Sequence, residues 1–182
     1  MIRICRTVLI WLILLSCGSI VAAEHPETLS LATWNIRILS DGSRDNAELA
    51  QISAILRTYS FVAIQELRDS EVLDRLMAML PGYSYVVSEP VGRNASSMER
   101  YAFVYRTDRV SITAGPQTYP DRADWFIREP FVGHFRADQF DFTVVTVHAL
   151  YGNCIAQRRS EIARLDDVIR WADELNGDEE DV

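Results

Sequence analysis

Three apolar segments of this sequence each end in a side chain able to hold a cation or carry a proton. Residues 29–36 alternate Leu29, Leu31, Thr33 and Asn35 with Ser30, Ala32, Trp34 and Ile36, so Asn35 stands near the close of a strand-like run. Phe61-Val62-Ala63-Ile64 reads as a buried strand and breaks abruptly into Gln65-Glu66-Leu67-Arg68-Asp69. Residues 140–148 finish at His148. A carboxylate at the C-terminal end of a buried strand sits where open α/β sheets form their ligand crevices. An oxygen ligand held rigidly there suits a hard cation such as Mg²⁺. Arg68, beside Glu66, offers a fork that can meet a phosphate bidentately. Histidine is the side chain suited to proton transfer near neutrality, which gives His148 a task. One acidic strand end is also what an ordinary solvated strand end looks like; three strands ending this way form a stronger signal. His134, inside residues 131–136, reads as a strand histidine with no chemical task, and His25 precedes the first predicted strand.

The elements that must position these residues follow from periodicity. Asp45 is a candidate N-cap for a helix to about Thr58, with Leu49, Ile52, Ile55 and Leu56 as its apolar stripe. Asp69 or Ser70 can cap a second helix carrying Val72, Leu73, Leu76, Met77 and Leu80, which Pro81-Gly82 stops. Helix, strand, helix in this order is an α/β signature. Short strands are expected at residues 83–88 and 100–105, and another at 109–113. Residues 89–98 form a loop, and residues 115–124 are rich in turn signals. Residues 131–136 and 140–148 read as a hairpin around Ala137-Asp138. One helix over about residues 156–174 has Ile162, Leu165, Val168, Ile169 and Leu175 on its apolar face.

The first 23 residues read as an export signal. Arg3 and Arg6 form the basic region, residues 8–15 the apolar one, and Val21-Ala22-Ala23 the small-residue cleavage site before Glu24. Leu14-Leu15-Ser16-Cys17 also resembles a bacterial lipobox, which would tether the protein to a membrane through a lipidated Cys17. The expectation is therefore a secreted or periplasmic protein, with a lipoprotein as the alternative. Of three cysteines, Cys5 and Cys17 lie in the export segment; Cys154 alone would remain, so no intrachain disulfide is expected. The formal charge of −8 excludes holding nucleic acid by bulk positive charge. Phosphate contacts must come from a few placed arginines and a metal ion. The last ten residues are acidic with no base, and they alone are candidates for disorder.

Five patches together resemble the secreted deoxyribonuclease I family, within the endonuclease/exonuclease/phosphatase superfamily. They are Trp34-Asn35-Ile36-Arg37; Gln65-Glu66-Leu67-Arg68-Asp69; Val86-Val87-Ser88-Glu89-Pro90-Val91-Gly92-Arg93-Asn94 with Glu99-Arg100-Tyr101; Arg128-Glu129-Pro130; and Val147-His148-Ala149. Their order and spacing are family-like. The resemblance implies an α/β fold, the first part of a two-sheet sandwich with outer helices. It implies a metal-dependent endonuclease hydrolysing DNA phosphodiester bonds with little sequence preference. That reaction uses Mg²⁺, has Ca²⁺ as a structural helper, and leaves 5′-phosphate ends. Glu66 with Asn35 is implied as the metal site, and Glu99 with His148 as the hydrogen-bonded acid–imidazole pair. Arg68 and Arg128 are implied as phosphate contacts, and Arg93 and Asn94 as the loop approaching the minor groove. Arg100 is left to surface ion pairing. Asn94-Ala95-Ser96 is also a glycosylation sequon, without meaning in a bacterial protein.

The sequence departs from the family pattern in two places. Ser97 stands where the family places a base-stacking tyrosine. The strand ending Gly-Asp-Phe-Asn, a later aspartate and a final Ser-Asp-His are not found before Val182. Residues 24–182 are therefore expected to be the N-terminal part of such a domain, weakly active or inactive alone. A sphingomyelinase-like phosphodiesterase and a non-catalytic remnant are the alternatives. DNA is the expected partner, and no protein partner is implied.

Overall fold

The computed structural model describes residues 28–176. The expected export signal at residues 1–23, its Cys17 and the Ala23-Glu24 junction lie outside the described residues, as do residues 177–182.

The chain folds as two β-sheets packed face to face with helices on the outside. The first sheet has four strands in the order β1 (Leu31–Leu39), β2 (Phe61–Leu67), β4 (Arg100–Arg106), β3 (Tyr83–Val87). β1 and β2 are parallel, joined through helix α1 (Asn46–Leu56), whereas β4 is antiparallel to both β2 and β3. Helix α2 (Glu71–Ala78) links β2 to β3. The second sheet is antiparallel, in the order β5 (Ser111–Thr118), β6 (Phe131–Ala137), β7 (Phe140–Thr146).

Period-two alternation decides what each face of β4 buries. Tyr101, Phe103 and Tyr105 point between the sheets, where they meet Phe61, Ala63, Phe131 and Phe135. The Phe103 and Phe131 rings stack at 4.9 Å, and Phe61 meets Phe135 edge-on at 4.7 Å. Gly133 is required here: a Cβ on it would lie 2.9 Å from the Phe135 ring and 3.1 Å from that of Phe103. Ala102 and Val104 point the other way, with Val62 and Ile64, onto Leu49, Leu56, Leu73 and Leu76 of α1 and α2. Asp45 caps α1 as expected, in a box where its side chain accepts from the Glu48 N–H at 2.8 Å while the Glu48 side chain accepts from the Asp45 N–H at 3.1 Å. At α2 the capping carboxylate is Asp69, which accepts from the Val72 N–H, and not Ser70.

Three elements differ from the sequence expectation. The strand expected at residues 29–36 runs on to Leu39, through a bulge in which Arg37 and Ile38 have φ of 55° and 54°. β5 continues through the turn-rich Gly115-Pro116 to Thr118. It can do so because it is an edge strand with shifted register, where proline's missing donor is tolerated. The single helix expected at residues 156–174 is two, α3 (Ile155–Ile162) and α4 (Leu165–Asn176). The break rotates the apolar face: Val168 and Ala172 are buried against Val132, while Ile162 and Ile169 are about half exposed. α4 thereby covers the outer face of the second sheet, and its last turns take in the start of the acidic stretch.

Candidate active site

The registers bring one end of both sheets together. Leu67 pairs with Arg100, so the end of β2 meets the beginning of β4, and Glu66 comes beside Glu99. Phe131 pairs with Thr146, so Arg128, just before β6, and His148, just after β7, share an edge. A hydrogen bond across the sandwich, from Gln65 Nε2 to Thr146 Oγ1 at 2.8 Å, joins the two edges.

His148 lies at the centre of this meeting. Its Nδ1 is 2.6 Å from Glu99 Oε1, and its Nε2 is 3.6 Å from Glu66 Oε1. The short contact to the buried Glu99, 2% exposed, fits a ring proton on Nδ1, with Nε2 on the side facing Glu66. The backbone N–H of His148 donates to Tyr101 Oη at 2.9 Å. Tyr101 is fully buried, and burial is the main cause that pushes its phenol above the ordinary range, so it stays protonated.

Arg128 is buried against Glu99, its Nε 3.2 Å from Glu99 Oε2. The N–H is not aligned on that oxygen: Nε and Nη1 have no hydrogen-bond partner among the described residues. The contact is thus an ion pair by proximity, with donors left over for a ligand. Removing Glu99 would leave the buried guanidinium unpaired, which typically costs about 3–5 kcal/mol, whereas removing Arg128 leaves Glu99 with His148.

Glu66 is held by its own strained backbone. It has φ of 62°, in the left-handed region that side chains avoid, within a register shift of β2. Its Oε1 accepts from Asn35 Nδ2 at 2.8 Å and its Oε2 from the Ile38 N–H at 3.2 Å. Asn35 Oδ1 accepts from the Arg37 N–H at 3.1 Å, which fixes the amide orientation. The nitrogen of Asn35, not its oxygen, therefore faces Glu66, and Asn35 orients the carboxylate. Direct ligation by Asn35 would require the amide to rotate and give up the Arg37 bond. Among the described residues no group of three or more acidic, histidine or cysteine side chains forms a metal cage. A single oriented carboxylate still fits Mg²⁺, which keeps several waters and takes its remaining ligands from substrate phosphate.

The other sequence candidates lie around this cluster. Arg68 donates from Nη1 to Met98 O at 2.6 Å, tying the loop that leads into Glu99. That loop is closed by a bridge between Val91 and Glu99, and Gly92, with φ of 124°, turns at its start. Arg93 is paired with Asp124 at 3.1 Å and with its carbonyl at 2.7 Å, on the next loop. Asn94 is exposed and accepts through its carbonyl from both the N–H and the hydroxyl of Ser97. Ser97 thus closes a tight turn and presents no stacking surface. Arg100 donates to Ser88 O at 2.7 Å, a backbone tie at the head of β4 instead of the expected surface ion pair. His134 is buried and bonds outside the cluster, with Nδ1 2.9 Å from Thr143 Oγ1.

Sequence reasoning missed three contributors. Tyr101 stood within a quoted motif, but only aromatic alternation marked it. Gln65 stood next to Glu66, yet its partner Thr146 is far along the chain. Glu161 gave no signal, because a glutamate in a helix is ordinary; here it is 3% exposed and accepts from the N–H groups of Ile127 and Leu150.

Comparison with known proteins places these observations. The profile of the Endonuclease/Exonuclease/phosphatase family matches residues 32–177. A protein named deoxyribonuclease from Thioalkalivibrio sp. (strain K90mix) is 38% identical over 151 residues, 79% of this chain and 41% of that protein. Deoxyribonuclease-1 of Bos taurus is 38% identical over 149 residues, 73% of this chain and 52% of its own length. The chain thus spans about half the length of the curated relatives it matches. Among solved structures, an endonuclease/exonuclease/phosphatase family protein from Bacteroides thetaiotaomicron superposes with a TM-score of 0.57 at 19% identity. That match covers 79% of this chain and 56% of that one. D. rerio TDP2, complexed with single strand DNA product, gives 0.54 at 19% identity, covering 79% and 55%. The likeness to solved structures carries the two-sheet fold. The profile, matched over most of the length, carries the family: this chain belongs to the endonuclease/exonuclease/phosphatase family.

Proposed function

We propose that this chain carries part of the active site of a metal-assisted phosphodiesterase acting on DNA, a deoxyribonuclease. The observation that supports it most is the imidazole of His148 set between two carboxylates, 2.6 Å from Glu99 and 3.6 Å from Glu66, with the unpartnered donors of Arg128 alongside. In this reading Glu99 holds the His148 tautomer, and Nε2 exchanges a proton with the attacking water or with the leaving 3′ oxygen. Arg128 offers N–H groups to a non-bridging phosphoryl oxygen as negative charge develops there. Glu66 would hold Mg²⁺, oriented by Asn35 and the Ile38 N–H. The ion, when bound, polarises the phosphoryl group and stabilises charge on its oxygens. Arg68 keeps the loop into Glu99 in place, and Arg93 and Asn94 present that loop's tip to a duplex. Arg93 exchanges Asp124 for a phosphate on binding. Calcium fits the reading as a helper ion, and the protein is exported.

Among the described residues one carboxylate–imidazole pair is available, so turnover by the 182-residue chain is slow. Plasmid nicking by the purified chain in Mg²⁺, with and without Ca²⁺ and with chelator, tests the reading. Slow, chelator-sensitive nicking with no sphingomyelin hydrolysis is expected. Sphingomyelin hydrolysis without nicking would overturn it in favour of the other branch of phosphodiesterases. Chelator-resistant nicking would remove the metal from the reading.

A further inference from the structure

Glu161 is a buried carboxylate that the proposed chemistry does not use. It sits on α3 with 3% exposure, and each oxygen takes one backbone amide: Oε1 from Ile127 at 2.8 Å and Oε2 from Leu150 at 2.7 Å. Ile127 immediately precedes Arg128, and Leu150 follows His148 by two residues. One turn earlier on α3, Arg158 donates to Leu150 O at 3.2 Å and to Gly152 O at 3.1 Å. The helix thus holds both backbone polar groups of Leu150, its N–H through Glu161 and its C=O through Arg158. The loop leaving β7 and the loop entering β6 are distant in sequence, and this one side chain ties them together. Burying a carboxylate is costly, and an apolar residue would fill the same space at no such cost. What the carboxylate adds is two charge-assisted hydrogen bonds of fixed direction.

We propose that Glu161 is a positioning residue: by joining the Ile127 and Leu150 amides it sets the separation of Arg128 and His148 about Glu99. The proposal rests on the reading of Glu99 and His148 as the acid–imidazole pair. Arg128 approaches Glu99 from one loop and His148 from the other, so slack in either loop opens the cluster. Tyr101 holds the His148 N–H independently. Loss of Glu161 should therefore loosen the cluster without releasing the strand end.

The test is nuclear magnetic resonance on the 182-residue chain, following the Ile127 and Leu150 amides, the His148 ring nitrogens and the Arg128 Nε–H. In Glu161→Ala, exchange of both amides should accelerate about tenfold or more, as expected for losing a hydrogen bond to a charged group. The His148 Nδ1 proton should broaden and the Arg128 Nε–H should shift. The amides of Val62 and Val104, in the central strands, should keep wild-type protection. Glu161→Gln keeps the volume and one acceptor, so it should change the same signals by less. Unprotected amides with unchanged His148 and Arg128 signals would overturn the proposal, making Glu161 a loop tie only. Loss of Val62 and Val104 protection in both variants would overturn it as well, making Glu161 a fold-holding residue. Glu99→Gln isolates the underlying reading: if it leaves the His148 ring unchanged, the acid–imidazole pair fails whatever Glu161 does.

Discussion

Gln65 and Thr146 join the two sheets directly: Gln65 Nε2 donates to Thr146 Oγ1 at 2.8 Å, and both side chains are buried. Gln65 also donates to Thr33 Oγ1 at 3.0 Å, so β1, β2 and β7 share one amide. Gln65 adjoins Glu66, and Thr146 lies two residues before His148. The bond therefore sets how the carboxylate on one sheet faces the imidazole beyond the other. Thr146→Val should cost about 1 kcal/mol, because Thr33 still satisfies the amide. Gln65→Leu should cost about 1–3 kcal/mol, because it leaves the buried Thr146 hydroxyl without its partner and also removes the bond to Thr33. Urea unfolding of both variants checks the order; equal losses would mean that the cross-sheet bond carries no more than the bond within the first sheet.

Glu66→Ala and His148→Ala should each remove most nicking activity, for different reasons. The first removes the oriented carboxylate, and raised Mg²⁺ should restore part of the rate. The second removes the proton carrier, an effect of about 10²–10⁴-fold that Mg²⁺ does not restore. Nicking rates across a Mg²⁺ series separate the two. Rescue of His148→Ala in place of Glu66→Ala would exchange the assigned roles.

Burial pushes the His134 imidazole below its ordinary range, with Asp173 opposing weakly. The folded state therefore binds its proton less readily than the unfolded chain, whose histidines titrate near ~6.5. The stability this contributes is fully present above that value and is lost as pH falls through the depressed folded value. Melting temperatures of the wild type and His134→Gln, followed from pH 8 downward, should separate below about pH 6.5, the wild type losing more. Parallel curves would show that His134 does not sense pH.

The proposed export carries with it Glu24 as the mature N-terminus, because Val21 and Ala23 supply the small residues a signal peptidase reads. Intact-mass measurement of the expressed protein checks this. An acylated Cys17 at the terminus would replace release with membrane tethering.

The sequence alone was enough to establish the α/β character and, β5 apart, the strands of both sheets within a few residues, and it offered candidate residues for the site. Those features are local: alternation places Tyr101, Phe103 and Tyr105 on one face, and Asp45 with Glu48 starts α1 wherever the helix packs. The family motifs carried Glu66, Glu99, Arg128 and His148 as names without mutual distances. Tertiary structure decided the rest, because the deciding contacts span long stretches of chain. The antiparallel pairing of β2 with β4 brings Glu66 toward Glu99, and that of β6 with β7 brings Arg128 toward His148. The amide of Asn35 turns its nitrogen to Glu66 only because a bulge presents the Arg37 N–H to its oxygen. The last helical stretch, continuous by periodicity, breaks in two so that Glu161 can face inward and α4 can cover Val132. Hydrophobic periodicity reports which face is buried, but a buried carboxylate is placed by the amides that need it, and these come from two loops that only the folded chain brings together.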